Sequence, residues 1–414
     1  MNKCRNLSVT LLLAFVLCLP LLFGAGVHGE DILIGTSAAF RGPSRGLGIE
    51  LYRGAMAYLE HVNQAGGVRG RRIVMRTYDD GYNPVPAIEN TVRLIQEDHV
   101  FLLFDYVGTP TVTRSLPILK KYENQQIYLF FPFTGAQPQR QPPYNQFAFN
   151  LRASYQQETE GLVDHLVAVG RPRIAVFYQI DAYGRSGWAG VRDALSKHSL
   201  EITAEATYRR GTQFSKSLET QVRVLKEAHP DAIVSIGAYG ACAAFIRDAR
   251  DAGLDVPIAN VSFVGSESLL RLLQTIGRAN GKDYTTGLIN SQVVPSYEDT
   301  SLPAVRQYRD LMNRYNPKPP AGLLTETYEP LRYSFVSFEG FLNAKLLVEI
   351  LGRMEIPRKE DIRKTVEGIR DYDLGIGAPV RFAQGKNQGL DTIYYTTVKQ
   401  GCFVPVKEWE EWHK

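Results

Sequence analysis

Sulfur and tryptophan are scarce in this chain: four cysteines, five methionines and three tryptophans are spread over 414 residues. Only Cys242 and Cys402 lie beyond the N-terminal stretch described below, which excludes a disulfide-stapled scaffold and any multi-cysteine metal centre. At most one bridge could form, and Cys242, on an apolar helical face, reads as a buried thiol. The seven histidines carry no metal signal either. None stands at ligand spacing from another histidine or a cysteine, and His61, His99, His165, His198 and His229 fall on expected helices or their ends. His99 follows Glu97-Asp98, but adjacent residues on a helix point apart and do not converge on one ion. Also missing are a G-x-S-x-G elbow, a Walker loop and a G-x-G-x-x-G after a strand. The nearest lookalike, Ala65-Gly66-Gly67-Val68-Arg69-Gly70, follows a helix and precedes a strand, so it reads as a chain reversal. No catalytic residue, cofactor or metal site is expected.

Charge of one sign is lacking too. Removing residues 1–29 takes away Lys3 and Arg5 and no acid, so the 47 basic residues fall to 45 against 43 acidic ones. A charge so close to balance implies no nucleic-acid partner. Only one long hydrophobic run exists, Leu7 to Phe23, preceded by Lys3 and Arg5 and followed by the small residues of Gly24 to Gly29. Pro20 interrupts it and a strand-like segment follows at once, which is the pattern of a cleaved signal peptide with its cut after Gly29. Leu17 before Cys18 lacks the small side chain that lipid attachment requires.

What remains is too long for one hydrophobic core and suggests two domains. From Asp31 the chain alternates short β-branched or aromatic runs with amphipathic stretches, the signature of βαβ units and an α/β fold with parallel sheets. Strands are expected over 32–36, 72–78, 100–104, 127–131, 174–178, 202–208, 232–236 and 287–291. Helices are expected over 86–97, 158–169, 188–196, 214–228, 241–252 and 328–351. In a further helix, Leu51, Ala55, Tyr58, Leu59 and Val62 form one buried stripe that Gly66-Gly67 ends. The tail 379–406 reads as short antiparallel strands. No flexible linker occurs, so structured crossovers must join the two halves.

Open parallel sheets bind ligands at the carboxyl ends of their strands. Three loops there combine glycine, which admits a ligand close to backbone N–H groups, with a hydroxyl or a helix start: Gly42-Pro43 to Gly48, Tyr106-Val107-Gly108-Thr109-Pro110-Thr111, and Pro132-Phe133-Thr134-Gly135-Ala136. Such a set suits a carboxylate. In the second half, Asp181-Ala182-Tyr183-Gly184 and Gly237-Ala238-Tyr239-Gly240 each place a tyrosine beside glycine, and a tyrosine offers a flat apolar face and one hydroxyl to a small amphipathic solute. Asp79-Asp80 also ends a strand, but Gly81-Tyr82-Asn83-Pro84 follows, so a carboxylate capping the turn and the coming helix explains the pair.

In this order the motifs resemble the type I periplasmic binding proteins of ABC transporters, in the branch of leucine/isoleucine/valine-binding protein. The residues that carry the likeness are Gly42-Pro43 with Tyr52-Arg53-Gly54-Ala55, Asn63 to Gly70, Tyr78-Asp79-Asp80, Gly108 to Thr111, Leu151-Arg152-Ala153-Ser154-Tyr155, Asp181 to Gly184 and Ser262-Phe263-Val264-Gly265. The resemblance implies two Rossmann-like lobes joined by three crossovers, with residues 30–151 and 292–378 in lobe 1 and residues 152–291 and 379–414 in lobe 2. It implies a ligand in the cleft, held by Gly108, Thr109 and Thr111 with Tyr106 beside them, by Phe133, Thr134 and Gly135, and by Tyr155, Tyr183, Tyr239 and Phe263. In the family the first loop holds an α-carboxylate, and a carbonyl and hydroxyl of the loop at Phe133 take the α-ammonium. An acid that pairs with the ammonium belongs in the stretch Asn260 to Phe263, where this chain has none. Glu267 is the nearest, which shifts the expectation toward an uncharged or aromatic carboxylate or an amide. The implied protein is a periplasmic monomer that binds a small molecule, closes around it and hands it to the permease subunits of an ABC transporter. A ligand-sensing receptor of the same fold is the alternative. The mature chain is expected to begin at or near Glu30; N-terminal sequencing of periplasmic material reads this directly, and an intact Met1 or a lipid on Cys18 contradicts it.

Overall fold

The computed structural model describes residues 30–413; the expected signal peptide lies outside the described residues. The first sheet is wholly parallel and contains β1 (Ile32–Ala38), β2 (Ile73–Asp79), β3 (Leu102–Phe104), β4 (Leu129–Phe130) and β5 (Ala148–Phe149), in the order β2-β1-β3-β4-β5. The second holds β6 (Ile174–Gln179), β7 (Glu205–Tyr208), β8 (Ala232–Ile236), β9 (Ile258–Asn260) and β10 (Leu288–Gln292) in parallel. A small ladder of β11 (Tyr372–Asp373) and β12 (Pro379–Val380) precedes β13 (Tyr394–Lys399), which adds antiparallel to β10, and β14 (Cys402–Pro405), which adds antiparallel to β13, giving the order β14-β13-β10-β9-β8-β6-β7. In each sheet the order reverses beside the first strand, between β1 and β3 and between β6 and β8. Connections leave in opposite directions there and open a crevice at the strand ends.

Around the first sheet lie α1 (Arg45–Gln64), α2 (Pro84–Gln96) and α3 (Thr109–Lys121), and around the second α4 (Tyr155–Ala168), α5 (Ala182–Lys197), α6 (Glu219–Glu227), α7 (Tyr239–Asp251) and α8 (Ser266–Asn280). The chain then returns as α9 (Pro303–Tyr315), α10 (Phe335–Arg353) and α11 (Ile362–Glu367), which pack with α1 on the first sheet. Local chemistry sets the helix starts. Ser154 and Gln157 form a capping box for α4, and Asn83, Asp181 and Ser334 accept backbone N–H groups at the starts of α2, α5 and α10. Asn83 thus caps α2 in place of Asp79-Asp80. Asp79 accepts from the N–H groups of Phe40, Arg41 and Gly81, and Asp80 from Tyr82 and the Ser37 hydroxyl, so the pair ties the loop after β2 to the loop after β1.

Other expectations shift for physical reasons. The helix expected from Tyr328 starts at Phe335, because Pro330 and the Ser334 cap place its first turn later. The one expected from Phe214 starts at Glu219, since Arg247 holds the carbonyls of Phe214 and Lys216 outside a helix. α3, with Pro110 in its first turn and Pro117 inside it, carries no clear helical signal in sequence. Cys242 is buried beside the Ser235 hydroxyl and Cys402 is exposed; both thiols are free. Among the described residues no helix is long and apolar enough to cross a membrane.

Helices α1 and α10, far apart in sequence, pack closely together. Gly54 of α1 faces the Ser337 carbonyl of α10, where an added Cβ would lie 1.7 Å from the oxygen, and a Cβ on Gly340 would lie 2.1 Å from the Leu51 carbonyl. Neither backbone can retreat without moving a buried helix. Gly54→Ala is therefore expected to lower the unfolding free energy by roughly 1–3 kcal/mol or more through forced separation of α1 and α10, read as a lower urea midpoint.

Candidate functional site in the junction between the sheets

The loops nominated by sequence meet at the two switch points. After β3 the N–H of Gly108 donates to the Phe133 carbonyl at 3.1 Å, and the Phe133 N–H donates to the Tyr106 carbonyl at 2.8 Å. The Thr109 and Thr134 hydroxyls lie 2.7 Å apart, and the Tyr155 N–H donates to the Gly135 carbonyl at 2.7 Å. Gly108, at φ +97°, lies against Tyr82, whose ring would be 2.1 Å from an added Cβ. The Gly108 N–H and the Phe133 carbonyl, both expected to face a ligand, are therefore engaged with each other, and the open face of the turn is covered by a tyrosine that the sequence did not single out. The Thr111 hydroxyl donates back to the Val107 and Gly108 carbonyls. Tyr106 turns away from the crevice into the core between α2 and α3, where its hydroxyl meets Thr91 at 3.2 Å.

From the opposite sheet Tyr183 packs against Tyr155, with centroids 5.2 Å apart, and against Phe263 at 4.6 Å. Phe263 also meets Phe133 at 5.2 Å and Tyr82 at 5.8 Å. These five rings form one buried aromatic layer across the junction, and Gln179 adds a hydrogen bond to the Tyr82 hydroxyl at 3.3 Å. Tyr239 stands apart from the layer, its hydroxyl accepting the Gly46 N–H of α1 at 3.1 Å.

Beneath the layer lies a charged cluster that no local motif announces. Arg152 is buried, with its guanidinium 4.7 Å from the Phe133 ring centroid. It pairs with Glu158 and with Glu339, each at 3.5 Å, and donates to the Ser262 hydroxyl. Glu158 accepts the Ser262 N–H at 2.7 Å and the hydroxyls of Ser262 and Ser291 at 3.0 and 2.6 Å. The stretch from Asn260 to Phe263 has no acid of its own, but the fold delivers one to Ser262 from α4.

Beside the layer the two halves enclose a cavity of about 560 Å³. Arg45, Phe214, Tyr239, Arg271, Glu326 and Tyr328 are among the residues that line it. Of the expected site residues, Tyr239 alone borders this space; Gly108, Thr109, Thr134, Gly135, Tyr155, Tyr183 and Phe263 do not. Its volume falls in the range of small-molecule sites. Among the described residues no group of histidine, cysteine and carboxylate side chains could hold a metal ion.

Two Rossmann-like sheets with their switch points face to face, joined by three crossovers, define a bilobed solute-binding fold. The chain belongs to the periplasmic binding protein family, whose model matches residues 31–402, and within it to the type I, leucine/isoleucine/valine-binding-protein-like branch. It is 25% identical over 269 residues to the Leu/Ile/Val-binding protein of Citrobacter freundii, covering 62% of this chain and 71% of that protein. The crystal structure of a possible leucine/isoleucine/valine-binding protein from Rhodopirellula baltica SH 1 matches with a TM-score of 0.82 and 29% identity, over 94% of this chain and all of that one. A branched chain amino acid ABC transporter structure from Thermus thermophilus with bound valine shares the fold, with a TM-score of 0.78 and 17% identity, over 92% of this chain and 96% of that one. Members of this family bind solutes, and the chain is not an enzyme.

Three buried carboxyls at the junction make its packing sensitive to pH. Burial raises Asp80, Glu267 and Glu339 to about 7, outweighing the Ser37 bond to Asp80, the Phe335 N–H bond to Glu267 and the Arg152 charge beside Glu339. A carboxyl whose pKa is higher folded than unfolded contributes stability that is complete below its unfolded pKa and lost as pH rises toward 7. Half-buried His165, lowered by burial, acts in the opposite sense, so the difference between variants is the useful quantity. Glu267→Gln keeps an acceptor for Phe335 and removes the titration. Between pH 5 and pH 8 wild type should lose roughly 2–3 kcal/mol more unfolding free energy than the variant, measured by urea denaturation across that range.

Proposed function

We propose that the chain is the periplasmic substrate-binding component of an ABC transporter, capturing a small amino-acid-like, carboxylate or amide solute by hinge closure and presenting it to permease subunits. The observation that carries this reading is the set of direct contacts between the two halves at both switch points: Gly46 to Tyr239, Gln179 to Tyr82, and the Arg271 guanidinium to the Glu329 carbonyl at 3.0 Å. Such contacts form when the lobes meet and break when they part, so a solute bridging them shifts the balance toward the closed form.

On this reading residues 30–151 and 292–378 form lobe 1 and residues 152–291 and 379–414 form lobe 2. The sheet membership of β1–β5 on one side and of β6–β10 with β13 and β14 on the other supports that division. The solute lies between the lobes in a monomer exported to the periplasm. Hinge closure buries it and changes the outer surface, which a permease can read. Of the site residues nominated from sequence, Tyr239 then closes over the solute from lobe 2, while Thr109, Thr134, Gly135, Tyr183 and Phe263 form the packed junction beside it.

The test joins binding to uptake. A solute that raises the melting temperature of the purified mature protein should also be imported by cells, and deleting this chain should abolish most of that import. Undiminished import, with a solute-dependent change in signalling, would favour the sensing receptor instead.

A further inference from the structure

The inner crevice is poorly equipped for a free α-amino acid. The Gly108 N–H and the Phe133 carbonyl bond each other, Tyr82 covers Gly108, and Glu158 is surrounded by Arg152, Ser262 and Ser291. A ligand ammonium would have to displace Arg152 from buried carboxylates, leaving that guanidinium without its partners.

The adjoining cavity has the opposite character. Arg45 lies at the start of α1 and Arg271 on α8. The Nε of Arg45 is buried without a hydrogen-bond partner, while its terminal nitrogens reach the Gly42 carbonyl at 3.2 Å and Glu326 at 3.1 Å. Glu326 is 63% exposed, so a ligand anion can replace it at little desolvation cost. Arg271 meets another lining acid, Glu329, through its backbone carbonyl, and its guanidinium lies 5.9 Å from the Tyr328 ring centroid. α1 and α7 both begin at this cavity, with no acidic residue in the first turn of either and no side-chain cap, so their dipoles add to the positive field. Tyr239, Tyr328 and Phe214 supply flat apolar walls.

We infer that the solute is a carboxylic acid with a flat, largely apolar body, its carboxylate held by Arg45 and Arg271 and its ring between Tyr239, Tyr328 and Phe214 in the cavity at the lobe junction. The inference rests on the solute-binding reading and narrows it. Guanidinium forks match a carboxylate in geometry and charge, and Tyr239 and Arg271 on lobe 2 facing Arg45 and Tyr328 on lobe 1 let the acid bridge both lobes.

Calorimetric titration of the mature protein with phenylacetate, phenylacetamide and L-phenylalanine separates the alternatives, since the three share a ring and differ in the polar end. Phenylacetate should bind, with the amide and the amino acid each at least tenfold weaker. Arg271→Gln and Arg45→Gln should each weaken phenylacetate at least tenfold, about 1.4 kcal/mol, and Arg271→Lys should recover part of the loss. Melting temperatures of the variants without solute should stay near wild type, since neither guanidinium is fully buried. The inference is overturned if the amide or the amino acid binds as tightly as the acid, if Arg271→Gln leaves the affinity unchanged, or if phenylacetate does not bind. Binding of L-leucine when phenylacetate fails would overturn this inference while leaving the solute-binding reading in place; failure of every solute, with import unaffected by deletion of the chain, would overturn both.

Discussion

The junction depends on one buried guanidinium. Arg152 stands just after β5, where the chain first leaves one sheet for the other, and it touches both sides: Glu339 on α10, Glu158 on α4 and Ser262 after β9. Removing these charges from water costs several kcal/mol per ion, and only the mutual pairing with the surrounding hydroxyls and N–H groups offsets it. A buried pair of this sort adds little net stability over an apolar core of equal volume. What it gives is geometry, because a guanidinium shared by two carboxylates and a serine tolerates few arrangements. The aromatic layer of Tyr82, Phe133, Tyr155, Tyr183 and Phe263 is built on that fixed point, with Arg152 against the Phe133 face.

The same cluster bears on what the protein can bind. An acid is present beside Ser262, but it already faces a cation, Arg152. The charge available to a solute lies farther out, on Arg45 and Arg271, whose partners are an exposed carboxylate and backbone carbonyls. The inner crevice is filled by the aromatic layer, while the cavity beside it is open. Tyr239 links the two, since it both borders the cavity and, through its hydroxyl, accepts the Gly46 N–H from the other lobe.

Much of the architecture was legible in the chain. The alternation of strand and helix periods and the glycine-containing loops after β1, β3, β6 and β8 are local properties, fixed by side-chain pattern and backbone propensity, whereas α4 and α5 start earlier than the expected 158 and 188, at the caps Ser154 and Asp181. The short strands β5 and β9 and the helix α3 were not, because two or three residues carry no period and Pro117 interrupts the helical signal. Within the site, Tyr183 and Tyr239 were nominated by their place beside glycine at strand ends. Tyr82 was passed over as part of a turn, and Glu158 and Glu339 as ordinary helix residues, since nothing nearby in sequence marks a carboxylate that will meet Arg152.

By itself the sequence determined the fold class, the two halves and the glycine-containing loops at strand ends, because these follow from chain length, periodicity and glycine placement, while the facing of those loops across a cleft was implied by the family resemblance. Only the tertiary structure decided which of those loops stay open. The hydrogen bond between Gly108 and Phe133, the Tyr82 ring laid over that turn and the pairing of Arg152 across more than a hundred residues with Glu339 are long-range events. They depend on which backbone groups find partners once water is excluded, and that competition is settled only when both lobes are in place.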